Sequence, residues 1–273
     1  ILFTIGQIDY AQAQKLEGDK GDKKEINASY RRAIDRWDRL VSKYPNTEES
    51  SLALYRIALI YEEKLGDLDK ALDAYRRLTW GAYAGRARSR VAMMTRKQLT
   101  LTTERKFRTN ESAKVKLSVR NIKKLTFKQY SLDLAAYFRK THAIGRMAQL
   151  DIDLIQPDKT WEVKIDGYAK YKPIEQVVEI PFEKGQAGVC IVNVSEDDLE
   201  ATTLVIRSDL ELIARTSRRE TLVFVQNVRT DAPAAGVDLL LSDGQKVFAT
   251  GKTGKDEAPE EKPQETDAEE KGE

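Results

Sequence analysis

The spacing of apolar residues changes near Leu99, and that change limits the folds open to this chain. Upstream, Ala33, Ile34, Trp37, Leu40 and Val41 recur three and four apart, as they must on a helix that buries one face. Pro45 stops that helix, and Asn46 or Thr47 can cap the next one with Glu48 and Glu49 near its positive end. A second helix carries Leu52, Leu54, Tyr55, Ala58, Leu59 and Tyr61 and breaks at Gly66-Asp67. A third begins at Leu68, and a fourth runs from about Ala84 to Lys97. Downstream of Leu99 the period is two. Val115, Leu117 and Val119 alternate with Lys114, Lys116, Ser118 and Arg120, and Tyr130, Leu132 and Leu134 with Gln129, Ser131 and Asp133. Leu150, Ile152 and Leu154 continue the pattern, and β-rich runs follow at 177–182, 189–194, 203–206, 210–214, 222–225 and 237–241. With no helices between them, these strands read as antiparallel.

The helical part has internal order. Ala33, Trp37 and Leu40 share their offsets of 4 and 3 with Ala71, Tyr75 and Leu78, thirty-eight residues later. Leu54, Ile57, Ala58, Tyr61, Leu65-Gly66-Asp67, Ala71, Tyr75 and Leu78 resemble the tetratricopeptide repeat pattern, with one extra residue between Tyr61 and Gly66. The first unit matches only in its second helix, because the charged stretch Glu17–Glu25 reads as an insertion. On the tetratricopeptide register Tyr55, Leu59 and Glu62 face the concave side and define a possible small peptide groove. Packing in a helical core accounts equally well for Tyr61, Tyr75 and Trp37.

These patterns give a multidomain chain, α and then all-β. Residues 1–97 form a short tetratricopeptide-like helical array, and residues 98–216 an immunoglobulin-like antiparallel β-sandwich of six or seven strands. Residues 217–251 form an incomplete second sandwich. The tail at 252–273 has no aromatic or large aliphatic residue and is expected to be disordered. Net charge follows this division: +5 over 1–99, +2 over 100–251 and −5 over the tail. No block is basic enough to make nucleic acid the default partner. No apolar run reaches the roughly 18 residues of a membrane span. The opening Ile1-Leu2-Phe3 lacks both Met and a basic n-region, so no signal peptide is visible and the chain reads as part of something longer.

The chain holds one cysteine, Cys190, and one histidine, His142. That excludes an internal disulfide, a cysteine zinc cluster and any site needing two histidines. No acid, base and nucleophile group together, so no catalytic, cofactor or metal residues are assigned. Cys190 lies between Val189 and Ile191 and reads as a buried small hydrophobe. His142 reads as exposed in a loop, and Asp151 and Asp153 as the solvent face of a strand more than a calcium pair. Gly251-Lys252-Thr253 lacks the upstream glycine of a phosphate loop and reads as a turn. Arg86, Arg88, Arg90, Arg96 and Lys97 read as a solvated helix face, or as residues docking the helices to the sandwich.

Along the β region stand, in order, Phe107-Arg108-Thr109-Asn110-Glu111, Val119-Arg120-Asn121, Tyr130–Leu134, Tyr137-Phe138-Arg139-Lys140 and Gly188-Val189. In this order and spacing the β region resembles the macroglobulin domains of bacterial alpha-2-macroglobulin-like proteins. Glu220–Val225, Asp231–Val237 and Thr250–Asp256 look like the start of a further such domain, although Cys190 stands where tyrosine is common and Glu257 replaces a glycine. The resemblance implies a large envelope, periplasmic or secreted protein that traps proteases after a bait segment is cut. It makes this chain the non-catalytic scaffold end of an endopeptidase inhibitor, with no thioester motif of its own and proteases as partners of the full-length protein. The other reading is a protein-protein interaction module of an envelope complex.

Overall fold

The computed structural model describes residues 1–142, 155–217 and 220–254. Among the described residues five α-helices and a π-helical turn precede the first strand, and twelve strands and one further short helix follow. Helices α1 (Leu2–Gly18) and α2 (Lys23–Lys43) form the first hairpin. Then come α3 (Glu48–Leu59), a π-helical turn (Ile60–Leu65), α4 (Leu68–Arg77) and α5 (Ala84–Thr95). The caps are those expected of these residue types. Thr47 and Ser50 close a reciprocal capping box on α3, and Asp22 and Asp67 accept backbone N–H bonds at the starts of α2 and α4. One apolar core runs through the array, with Trp37, Tyr30, Tyr75 and Leu54 fully buried.

The extra residue between Tyr61 and Gly66 is absorbed by the π-helical turn, which widens the helix by one residue without breaking it. Gly66 ends it in the left-handed conformation at φ 69°, donating its N–H to the Tyr61 carbonyl. The stretch Glu17–Glu25 is not an insertion. It is the end of α1, the interhelical turn and the capped start of α2. The structural repeat is therefore forty-five residues and not thirty-eight. Asp22 and Asp67 cap equivalent helices, and α2 runs about three turns longer than α4.

The first β unit is a sandwich of two antiparallel sheets. One contains β1 (Gln98–Thr102), β2 (Ala113–Arg120) and β5 (Pro173–Ile180) in the order β1-β2-β5. The other has the order β4-β3-β6-β7, from β3 (Lys124–Ser131), β4 (Lys159–Lys164), β6 (Gly188–Glu196) and β7 (Leu199–Arg207). Val115, Leu117 and Val119 point inward with Phe127, Leu125, Val192, Val194 and Val205 from the facing sheet. Alternation thus becomes a two-layer core.

Several local expectations are corrected. Leu132 and Leu134 do not extend β3. Asp133 accepts the Ala136 N–H and starts a short helix, α6 (Leu134–Thr141), which also holds Tyr137 and Phe138. His142 ends that helix at φ 57° and is half-buried. Strand β8 (Leu210–Thr216) leaves the first sandwich and pairs with β9 (Thr221–Asn227) in the order β10-β9-β8, β10 being Ala232–Pro233. Gly251 and Lys252 are not a turn but the end of β12 (Val247–Lys252), opposite Leu239 and Asp238 of β11 (Asp238–Ser242). Leu150, Ile152, Leu154, Asp151 and Asp153, and the tail beyond residue 254, lie outside the described residues.

Cys190 sits in the sandwich core at 1% exposure, and burial pushes its thiol up to about 12. The thiolate is the reactive form, so native chain at pH 8 should resist iodoacetamide for hours. Guanidinium-unfolded chain should alkylate at the rate of a free peptide thiol. Rapid modification of folded protein, read by mass spectrometry, would contradict this packing.

Candidate interaction surface

The residues singled out on the helical array, Tyr55, Leu59 and Glu62, lie along one side of α3 and its π-helical turn, and all three are half-buried. Two of them converge on Tyr75 of α4. The Tyr55 ring lies 5.7 Å from that of Tyr75 and 5.2 Å from that of Tyr83, and the Tyr75 hydroxyl donates to Glu62 Oε2 at 2.8 Å. Arg90 of α5 reaches over this group, 3.6 Å from Glu62 and 3.0 Å from Glu63. Leu59 rests against the helical core. The predicted groove floor is therefore a closed network in which each polar atom has a partner from the next helix. What stays open to a peptide is its rim: Tyr55, Tyr83 and the exposed Glu63.

The same group occurs once more in the first hairpin. The Tyr10 and Tyr30 rings are 5.8 Å apart at 59°, against 5.7 Å and 58° for Tyr55 and Tyr75. Tyr30 donates to Glu17 at 2.7 Å, and Lys64 pairs with Glu17 at 2.8 Å, as Arg90 does with Glu62. Tyr10, Glu17 and Tyr30 stand forty-five positions before Tyr55, Glu62 and Tyr75. In each case the helix that follows supplies the cation, so the carboxylate ties one hairpin to its neighbour. Sequence reading missed Tyr83 and this duplicated triad, and it placed Arg90 on a solvated or sandwich-docking face instead of over Glu62. The signal was the shared spacing, hidden by reading Glu17–Glu25 as an insertion.

Burial first, and then the carboxylate each one faces, raise the Tyr30 and Tyr75 hydroxyls above the ordinary phenol value. Folding holds both neutral, whereas the unfolded chain ionises them near pH 10. Their contribution is complete below pH 10 and declines as pH rises beyond it, because ionisation then draws the equilibrium toward the unfolded chain. Urea midpoints at pH 8 and pH 11 should show a drop, and the drop should be smaller in the Tyr30→Phe/Tyr75→Phe double variant. Equal drops in both proteins would remove these hydroxyls from the account.

The basic helix face is engaged more than expected. Arg90 is paired as described, Arg86 lies over the Tyr83 ring at 5.5 Å, and Lys97 reaches the sandwich at Glu196 (3.0 Å) and Asp197 (2.6 Å). Among the described residues no group of three or more metal-ligating side chains converges, and no helix is long and apolar enough to cross a membrane.

The tetratricopeptide repeat family matches residues 52–80, the segment holding Tyr55, Glu62 and Tyr75. Two crystal structures of native alpha-2-macroglobulin from Escherichia coli are similar to the chain. The one spanning domains MG0-NIE-MG1 is 13% identical, with a TM-score of 0.44, over 57% of this chain and 55% of that one. The one spanning NIE-MG1 is 12% identical, also at 0.44, over 59% of this chain and 84% of that one. The chain thus spans little more than half of the first of these structures. No curated protein sequence matches it.

Proposed function

We propose that this chain is a non-catalytic scaffold segment of an alpha-2-macroglobulin-like endopeptidase inhibitor of the bacterial envelope, periplasm or exterior. The observation that supports it most is how the macroglobulin-like motif Phe107–Glu111 is used. Phe107 is buried and donates its N–H to the Ile206 carbonyl at 2.9 Å. Thr109 donates its N–H to Asp209 at 2.8 Å, where the chain leaves the first sandwich for β8. The motif therefore builds the seam between consecutive β units, as a segment that orients domains in series would need. In this reading the helical repeats and the first sandwich set positions, and the cleavable and closing parts belong to the rest of the protein.

The test uses the full-length protein with a broad-specificity protease. The reading requires cleavage at one exposed region and retention of the protease in a form that still cleaves small peptides but not large proteins. A protein cut at many sites, or one that leaves large substrates accessible, would refute it.

A second reading, a helical-repeat and β-sandwich interaction module of an envelope complex, is favoured by the half-buried Tyr55–Tyr83 rim and by Ile5 and Ile8 exposed on α1. It predicts that this chain alone retains a stable partner in a pull-down, and that Tyr55→Ala releases it. The scaffold reading predicts none.

A further inference from the structure

The first sandwich contains a charge that no side chain among its described residues neutralises. Arg207, at the end of β7, is 6% exposed. Its Nε donates to the Arg108 carbonyl at 3.3 Å, Nη1 to the Glu183 carbonyl at 2.8 Å and Nη2 to the Thr109 carbonyl, and its guanidinium lies over the Phe182 ring. No carboxylate among the described residues pairs with it. A guanidinium has five N–H groups, so three carbonyls leave two to spend. Carbonyl dipoles stabilise a buried cation only in part, and its charge remains to be met in a medium where Coulombic attraction is stronger than in water.

Arg207 lines a cleft of about 650 Å³ between the β1–β2 loop and the β5–β6 loop. Lys184, exposed on the β5–β6 loop, also lines it and forms no ion pair among the described residues. The carboxylates at its edge are already engaged. Glu111 pairs with Arg105 at 2.6 Å and Glu179 with Lys114 at 3.4 Å. Arg229, the third cation at the cleft, is shared between Thr109 Oγ1 (2.9 Å) and Asp209 (3.5 Å). An anion entering here meets a buried guanidinium and an unpaired ammonium, with the two carboxylates that line the cleft, Glu111 and Glu179, each paired with another cation.

From this geometry we infer that the cleft beside Arg207 is a binding site for an oxyanion, the carboxylate of an acidic side chain or a phosphate group, held by Arg207 and Lys184. The site is independent of the scaffold reading and of the helical repeats. It would let the first sandwich hold an acidic segment of another domain or of a partner at the seam toward β8.

The test is a titration of the ¹⁵N-labelled full chain, followed by NMR at the Arg207 Nε–H and the Gly185 amide. The probes are sodium acetate, inorganic phosphate and a blocked glutamate tripeptide, each matched to sodium chloride of equal ionic strength. Saturable shifts at both positions, absent with chloride, are expected. Response to acetate and the tripeptide assigns a carboxylate ligand, and response to phosphate alone assigns a phosphate group. Lys184→Ala, a surface change that leaves the fold intact, should weaken binding by about three- to tenfold. Arg207→Lys keeps the charge, loses the fork and should weaken it further. Shifts no larger than those of chloride, or unchanged affinity in Lys184→Ala, would overturn the assignment.

Discussion

Replacing Gly6 by valine should destabilise the helical array by about 3 kcal/mol, a large effect for one side chain added to a helix. Glycine inside a helix normally weakens it, and substitution at an open site returns roughly 0.5–1 kcal/mol. At Gly6 there is no open site. A Cβ there would lie 2.5 Å from Nε1 and 2.6 Å from Cδ1 of Trp37. The indole cannot give way, because it is 0% exposed and its Nε1–H donates to the Phe3 carbonyl at 3.1 Å. Its ring is also held by Phe3 and Tyr10, with Arg56 over its face. Either α1 lifts off α2 or the indole leaves its rotamer, and both give up part of the first hairpin's core. Gly85, in α5, is the control. Nothing lies within 4 Å of its hypothetical Cβ, so Gly85→Ala should stabilise by a few tenths to about 1 kcal/mol. Guanidinium unfolding monitored by circular dichroism measures both. A Gly6→Val protein within about 0.5 kcal/mol of the parent would mean that α1 does not pack on Trp37 as described.

What could be read from the residues, and what could not, follows from how local each signal is. Thr47 before Glu48-Glu49 announces a helix start because capping involves only the four residues from Thr47 to Ser50, and the structure uses Thr47 as expected. Alternation from Val115 to Val119 fixes which side chains point inward, since the strand period does so unaided. Alternation does not say which strand lies alongside. Strand β8 carries the same local pattern as the strands before it, yet it pairs with β9. In Asp133-Leu134 two local rules compete, and the cap on Ala136 N–H prevails over the apolar alternation. For the candidate surface, the sequence gives Tyr55, Leu59 and Glu62 as neighbours on one helix. It does not show that Tyr75 and Arg90, on two other helices, already satisfy Glu62. The buried charge of Arg207 was equally hidden, because its three partners are backbone carbonyls, which carry no residue identity.

Asn121→Asp should separate the helical array from the sandwich, although the two side chains have the same shape. Helix α5 ends at Thr95 with carbonyls that lack partners inside the helix. The turn after β2 supplies them. Asn121 Nδ2 donates to the Met94 carbonyl at 2.8 Å and the Arg96 carbonyl at 3.1 Å, and Arg120 Nη1 donates to the Met93 carbonyl at 2.7 Å. Asn121 Oδ1 accepts the Tyr171 N–H at 2.7 Å, holding the β4–β5 loop so that Tyr171 packs against the helical core. One side chain thus joins three segments, and its own backbone is left-handed at φ 60°, a conformation that asparagine tolerates better than most residues. Aspartate can keep the bond to Tyr171, but it loses both donors and sets a negative oxygen against two carbonyls. The expected cost is about 3 kcal/mol, from two lost bonds and the repulsion that replaces them. The physical consequence is uncoupling. The parent should unfold its helical and β parts together, whereas Asn121→Asp should show two transitions in urea and faster tryptic cleavage after Arg96 or Lys97. Asn121→Gly keeps the turn geometry and loses all three bonds, so it should fall on the same side as aspartate. If aspartate and glycine variants both unfold in one transition at the parental midpoint, the joint is held by Lys97 with Glu196 and Asp197, and Asn121 only shapes its turn.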